Sequence, residues 1–135
     1  MTDLDLISKN VLVCTKCTLG YKRTNAVPGS GDPKSTLFFV GEAPGRYEDE
    51  QGVPFVGRAG RLLDNLLETI NLSRSEVFIT NMLKCRPPNN RDPLPDELKA
   101  CSPYLKRQIK IINPKIIVTL GRFSFAWFFP DLSMG

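Results

Sequence analysis

The chain contains no histidine. Imidazole is therefore excluded within these residues as a general base, an electrophile or a metal ligand. Long apolar runs are missing as well, and none approaches the ~18 residues that a membrane-spanning helix needs. Met1 is followed by Thr2-Asp3-Leu4-Asp5, not by the basic and then apolar residues of a secretory leader. Internal repeats and low-complexity segments are also lacking. A disulfide framework is accordingly not expected, and a cytoplasmic location is. What is there is an ordinary globular composition, 41% apolar and 24% charged, over 135 residues. That length suits a single domain, 1–135, with one core. The net charge of +4 permits nucleic-acid binding without requiring it.

Three short apolar runs each precede a helical pattern. Leu37–Val40 leads to a helix near Arg58–Ile70, whose apolar positions are Leu62, Leu63, Leu66, Leu67 and Ile70. Val77–Asn81 leads, after a Pro/Asn/Arg loop, to helical sequence from about Pro95 to Ile112. Ile116–Leu120 and Gly121 lead to a helix over Arg122–Phe129. A further helix, with Leu4, Ile7 and Val11 on one face, precedes them all. This alternation predicts an α/β fold with a small parallel sheet covered on both faces. Pro103 is expected to start a second helical segment after Pro95–Ser102, with Ser102 as its N-cap.

The segment Gly41–Gly60, G-E-A-P-G-R-Y-E-D-E-Q-G-V-P-F-V-G-R-A-G, joins the first of those strands to its helix. It holds five glycines, two prolines, one phenylalanine and four carboxylates. Open α/β sheets bind ligands outside the carboxyl ends of their strands. Glu42 lies at one such end and Asn81 at the next, so the two can converge. Asp49 and Glu50, adjacent acidic residues, are expected to be solvated.

The cysteines are Cys14, Cys17, Cys85 and Cys101, spaced C-x2-C, a long gap, then C-x15-C. A redox C-x-x-C pair belongs at a strand–helix junction, whereas this pair precedes the first strand. Zinc ribbons carry two short knuckles, and C-x15-C is too wide for one. An iron–sulfur cluster tolerates irregular spacing, because it collects thiolates from separate segments. Four unrelated buried cysteines fit poorly with the flanking Lys16, Lys84 and Arg86. Metal binding is the better reading, with a cluster ahead of zinc.

With these blocks assembled, the chain closely resembles the family 4 uracil-DNA glycosylases, the iron–sulfur branch of archaea and thermophilic bacteria. The matching segments are Gly41-Glu42-Ala43-Pro44-Gly45, Glu48-Asp49, Gly52 to Gly60, Asn81, Lys84-Cys85-Arg86-Pro87-Pro88, Asn90-Arg91, Cys101, the Cys14/Cys17 pair and the Arg23-Thr24 to Pro28-Gly29 loop. The resemblance implies a three-layer α/β/α sandwich, a [4Fe–4S] cluster on the four cysteines, and hydrolysis of the N-glycosidic bond of deoxyuridine in DNA, single- or double-stranded. It implies that Phe55 stacks on the flipped uracil, that Asn81 bonds its O4/N3 edge, and that Glu42, Ala43 and Pro44 line the pocket. Glu42 and Glu48 are the candidates to position water or stabilise the cationic sugar. Lys84, Arg86 and Arg91 are expected to contact phosphates.

The resemblance also implies a further strand and a late His-Pro motif whose histidine contacts uracil O2. The chain ends at Asp131-Leu132-Ser133-Met134-Gly135 without them. Relative to the family it reads as C-terminally truncated, and impaired turnover is expected, since one lost donor to a developing oxyanion costs ~10²–10³ in rate. Two other functions compete. One is a non-catalytic iron–sulfur DNA-binding module; the other is a zinc-stabilised interaction domain with Phe123, Phe125, Trp127, Phe128 and Phe129 as docking surface.

Overall fold

The computed structural model describes residues 2–132; Ser133, Met134 and Gly135 of the final segment lie outside them. Elements run α1 (Asp3–Leu12), β1 (Ser30–Gly31), β2 (Leu37–Gly41), α2 (Arg46–Gln51), α3 (Arg58–Thr69), β3 (Phe78–Asn81), α4 (Pro95–Ile112), β4 (Ile116–Thr119) and α5 (Arg122–Phe128), with short 3-10 turns between. The sheet order is β1-β3-β2-β4. β2 pairs in parallel with both β3 and β4, and the register sets Gly41 beside Asn81. The three expected strands are present. The fourth, β1, is a two-residue antiparallel edge against Phe78 and Ile79, so the sheet is mixed rather than purely parallel.

Strand side chains alternate between two faces. Phe38, Val40 and Phe78 pack on one side with Leu105 and Ile112 of α4 and with Trp127 and Phe128 of α5. Phe39 and Ile79 point the other way, onto Leu63 and Leu67 of α3. Helices thus cover both faces, giving three α/β/α layers. Each fully buried side chain such as Phe38 contributes ~1.5–3 kcal/mol of transfer free energy. A third cluster, Ile7, Val11, Leu19, Leu83, Cys85 and Tyr104, fastens α1 and the loop after it to α4. Of the aromatic tail, Trp127 and Phe128 pack partly buried against this core, Phe123 and Phe125 are half-buried, and Phe129 is exposed.

Three sequence expectations need correction. The α4 helix runs through Pro103 without a break. Proline removes the N–H that Lys99 O would accept, and Ser102 Oγ donates to that carbonyl at 3.5 Å instead of capping a new helix. In α3 only Leu63 and Leu67 of the apolar row are buried; Leu62, Leu66 and Ile70 face outward, because the helix meets the sheet along a single narrow stripe. Asp49 is buried, not solvated. Its Oδ1 accepts from the peptide N–H groups of Thr24 and Asn25, at 2.9 and 3.2 Å, and so ties the loop after Cys17 to α2.

Candidate active site and candidate metal centre

Beyond the carboxyl ends of β2 and β3 lies a cavity with about 280 Å³ of empty space, lined by Ala43, Glu48, Phe55, Ala59 and Asn81. Gly41 lets its two key side chains approach: a Cβ there would collide with the Phe55 ring and with Asn81 Oδ1. Asn81 is 2% exposed, and its Oδ1 has no hydrogen-bond partner among the described residues. A buried acceptor left open at a cavity wall is costly unless a ligand supplies the donor. Phe55 occupies the left-handed region at φ 55°. Arg74 holds it there, donating to Pro54 O at 2.9 Å and also to Phe55 O. Gly60 leaves room for that carbonyl, since a Cβ would strike it.

The two candidate carboxylates differ in their commitments. Glu48 Oε1 accepts from Gly45 N, and Oε2 from Val56 N and Gly57 N, all at 2.9 Å. It clamps the two ends of the loop that carries Phe55. Glu42 and Pro44 line an adjoining open groove with Pro87, Asn90 and Arg91, rather than the cavity itself. The Glu42 carboxylate lies over Gly121, at the turn from β4 into α5.

The four cysteines, drawn from the α1–β1 loop, the segment after β3 and α4, line one pocket with about 330 Å³ of empty space, together with Leu19, Arg23, Leu83 and Tyr104 among others. No three of the described Cys, Asp or Glu residues group tightly enough for a single metal ion. The four cysteines nevertheless line one pocket, the arrangement that a polynuclear group would need. Three sulfurs already receive N–H donors: Cys14 Sγ from Lys16 N at 3.5 Å, Cys85 Sγ from Arg23 Nη1 at 2.9 Å, and Cys101 Sγ from Lys84 N at 3.3 Å. These donors suit thiolates, and Val11, Leu19 and Leu83 give the pocket apolar walls. The residues fit an iron–sulfur cluster. Burial pushes the Cys85 thiol up against the pull of Arg23, and pushes Cys101 to about 11 against that of Lys84.

Residues 28–135 match the family model of the Uracil DNA glycosylase superfamily. The chain belongs to that superfamily. As a uracil-DNA glycosylase superfamily member it is 60% identical, over 133 residues, to the type-4 uracil-DNA glycosylase of Sulfurisphaera tokodaii, covering 98% of this chain and 60% of that protein. The type-4 uracil-DNA glycosylase of Archaeoglobus fulgidus is 54% identical over 129 residues, 96% of this chain and 65% of the relative. A type-5 uracil-DNA glycosylase of Thermus thermophilus is 33% identical over 113 residues, 73% of this chain and 51% of the relative. The chain thus spans about three-fifths of the length of the type-4 relatives it matches.

For this superfamily member the structure brings Ala43, Glu48, Phe55 and Asn81 together and leaves Glu42 and Pro44 next door. The expected phosphate contacts fare differently. Lys84 is 1% exposed and its ammonium points inward, so it does not reach a DNA backbone; burial lowers its pKa to about 8, with Cys101 pulling it back up. Arg91 forks onto Glu97, at 2.8 and 2.7 Å. Arg86 donates through Nε to Asn90 Oδ1 at 2.7 Å, at the surface. Sequence reasoning missed Arg74, and it named Gly41 and Arg23 only as motif positions, without the close approach and the sulfur contact that the structure gives them. It also missed an open groove formed by Tyr47, Gln51, Val56, Gly57, Arg58 and Arg61, which shares the Phe55–Ala59 loop with the cavity.

Proposed function

We propose that this protein recognises uracil in DNA and hydrolyses its N-glycosidic bond, with a [4Fe–4S] cluster on Cys14, Cys17, Cys85 and Cys101. The observation that carries the reading is the open Asn81 Oδ1 on the wall of a cavity whose other wall is the Phe55 ring. A uracil swung out of the helix stacks on Phe55 and gives its N3–H to Asn81 Oδ1, while the amide nitrogen donates to O4. Cytosine has the opposite polarity at position 4 and leaves that amide mispaired. Membership of the superfamily and similarity to the type-4 enzymes support the same chemistry.

Glu42 is the carboxylate free to orient water towards the sugar, since Glu48 is engaged with three peptide N–H groups. The cluster, when bound, supplies structural cross-linking and negative charge rather than a reacting atom. Bound there, it would tie Cys14 and Cys17, ahead of β1, to Cys85 after β3 and Cys101 in α4. Arg58 and Arg61, in the groove beside the Phe55 loop, meet the phosphates.

Release of uracil from a single-stranded oligonucleotide carrying one deoxyuridine tests the reading, with protein purified anaerobically and holding about four irons per chain. Asn81→Asp should lose ~1–3 kcal/mol of preference for uracil over cytosine, because a carboxylate cannot donate to O4. An unmodified protein that shows neither uracil release nor a preference for free uracil over cytosine would falsify the assignment. Stoichiometric zinc without iron, in iron-replete anaerobic preparations, would remove the cluster.

A further inference from the structure

Lys84 is a buried ammonium whose partners are all neutral. Its Nζ donates to Thr80 Oγ1 at 2.6 Å, to Asn81 O at 2.8 Å and to Gln108 Oε1 at 2.8 Å. Thr80 Oγ1 and Gln108 Nε2 both donate in turn to Pro28 O, at 2.8 and 2.7 Å. A closed ring of hydrogen bonds thereby joins β3, α4 and the loop before β1 around one positive charge. Burying an ammonium against neutral acceptors is costly, but an apolar chain in its place would leave Asn81 O and Gln108 Oε1 buried without that donor. The ring by itself does not say which part of the molecule depends on it.

Two connections of Lys84 do. The first is to β3. β1 covers that strand only at Phe78 and Ile79, and Met82 N turns the other way, to Gly41 O at 2.9 Å. Carbonyls alternate in direction along a strand, so the Asn81 carbonyl points to the side where β1 has already ended. Lys84 Nζ takes the place of the missing strand. The second is to the cysteine pocket: the Lys84 peptide N–H rests on Cys101 Sγ, and the next residue is Cys85.

We propose that Lys84 is a positioning residue that holds the end of β3, and with it the Asn81 amide, in place at the cavity, and that it couples this hold to the cysteine pocket through its own peptide N–H. The proposal rests on the reading of Asn81 and of the cysteines given above. Lys84 touches neither base nor sugar. Its effect passes through one carbonyl to the residue that reads the base.

Three measurements on iron-loaded protein test it: affinity for free uracil and for cytosine, iron content with melting temperature, and hydrogen exchange at the Met82 and Leu83 amides. Lys84→Met should keep its iron and still fold, melting lower than the parent because Asn81 O and Gln108 Oε1 lose their donor. It should bind uracil about tenfold more weakly, the equivalent of one charged hydrogen bond, and lose preference over cytosine. Exchange at Met82 and Leu83 should quicken while Phe38–Val40 stay protected, and Lys84→Arg should restore part of the loss. Native uracil affinity and native exchange in Lys84→Met would overturn the proposal.

If Lys84→Met does not fold, the unmodified protein decides. Removing iron with a chelator should open Met82 and Leu83 before Phe38–Val40, and simultaneous opening would count against the coupling. An unmodified protein that binds no uracil sinks the reading of the cavity alone, because the exchange measurements still report whether Lys84 holds the strand end.

Discussion

Arg23 Nη1 donates to Cys85 Sγ at 2.9 Å, across 62 positions of sequence. The same guanidinium reaches Cys14 O and Leu12 O, both at 2.9 Å. One side chain therefore spans the end of α1, the first cysteine pair and the segment after β3. Its charge lies against sulfur, where thiolates gain most from a donor.

Arg23→Met should lower the affinity of the cysteine site for its metal by ~10–100-fold, the usual effect of losing an outer donor to a ligand. Competition with a chelator, followed by loss of the brown absorbance, measures it. Cys85→Ser should bleach the protein outright. An Arg23→Met protein that holds iron as tightly as the parent would confine Arg23 to joining backbone carbonyls.

Glu48 and Glu42 should separate in their effects. Glu48→Gln weakens three peptide contacts that fasten the Phe55 loop, at a cost of ~1–3 kcal/mol in stability. Glu42→Gln should leave the melting temperature within a degree or two and cut uracil release sharply. Thermal denaturation beside an excision assay distinguishes them. The opposite pattern, stable Glu48→Gln without turnover, would move the catalytic role to Glu48.

Acid should destabilise the fold in part through Glu97. That carboxylate accepts from the Arg91 fork and from Leu94 N at 2.9 Å, and the Arg91 hydrogen bonds hold its carboxyl below the ordinary carboxylate range. The unfolded chain then binds the proton more readily than the native one. The stabilisation is present above about pH 4.3 and is lost as pH falls through the lower native value. Melting curves between about pH 3 and pH 6 should accordingly be flatter for Glu97→Gln than for the parent. Parallel curves would show that Glu97 contributes nothing to acid sensitivity.

Salt dependence locates the DNA surface. Arg58→Ala and Arg61→Ala should each reduce the slope of log affinity against log salt by ~0.7–0.9 if their groups neutralise one phosphate apiece. Arg91→Ala should change it less, because its guanidinium is engaged with Glu97. Unchanged slopes for both groove variants would return the phosphate contacts to the Arg86 loop.

The sequence by itself determined the layer order, because its apolar signals are local: short continuous runs at Leu37–Val40 and Val77–Ile79, and a spacing near four around Leu63 and Leu67. It also named Cys14, Cys17, Cys85, Cys101, Phe55 and Asn81, since these sit in short motifs whose chemistry is carried by adjacent residues. Only the tertiary structure decided which groups are free to act. Asp49 read as a solvated charge and Lys84 as a phosphate contact until burial showed that distant partners, the Thr24 and Asn25 peptides for one and Gln108 for the other, satisfy them. Glu48 and Glu42 read alike in the sequence, and the structure distinguishes them by bonding both Glu48 oxygens to the Gly45, Val56 and Gly57 peptides. Pro103 passed through α4 because Ser102 could serve the orphaned Lys99 carbonyl and because the adjoining Tyr104 and Leu105 are packed into two core clusters. Hydrogen bonds and burial depend on residues brought together across the fold, and no local pattern encodes who those neighbours will be.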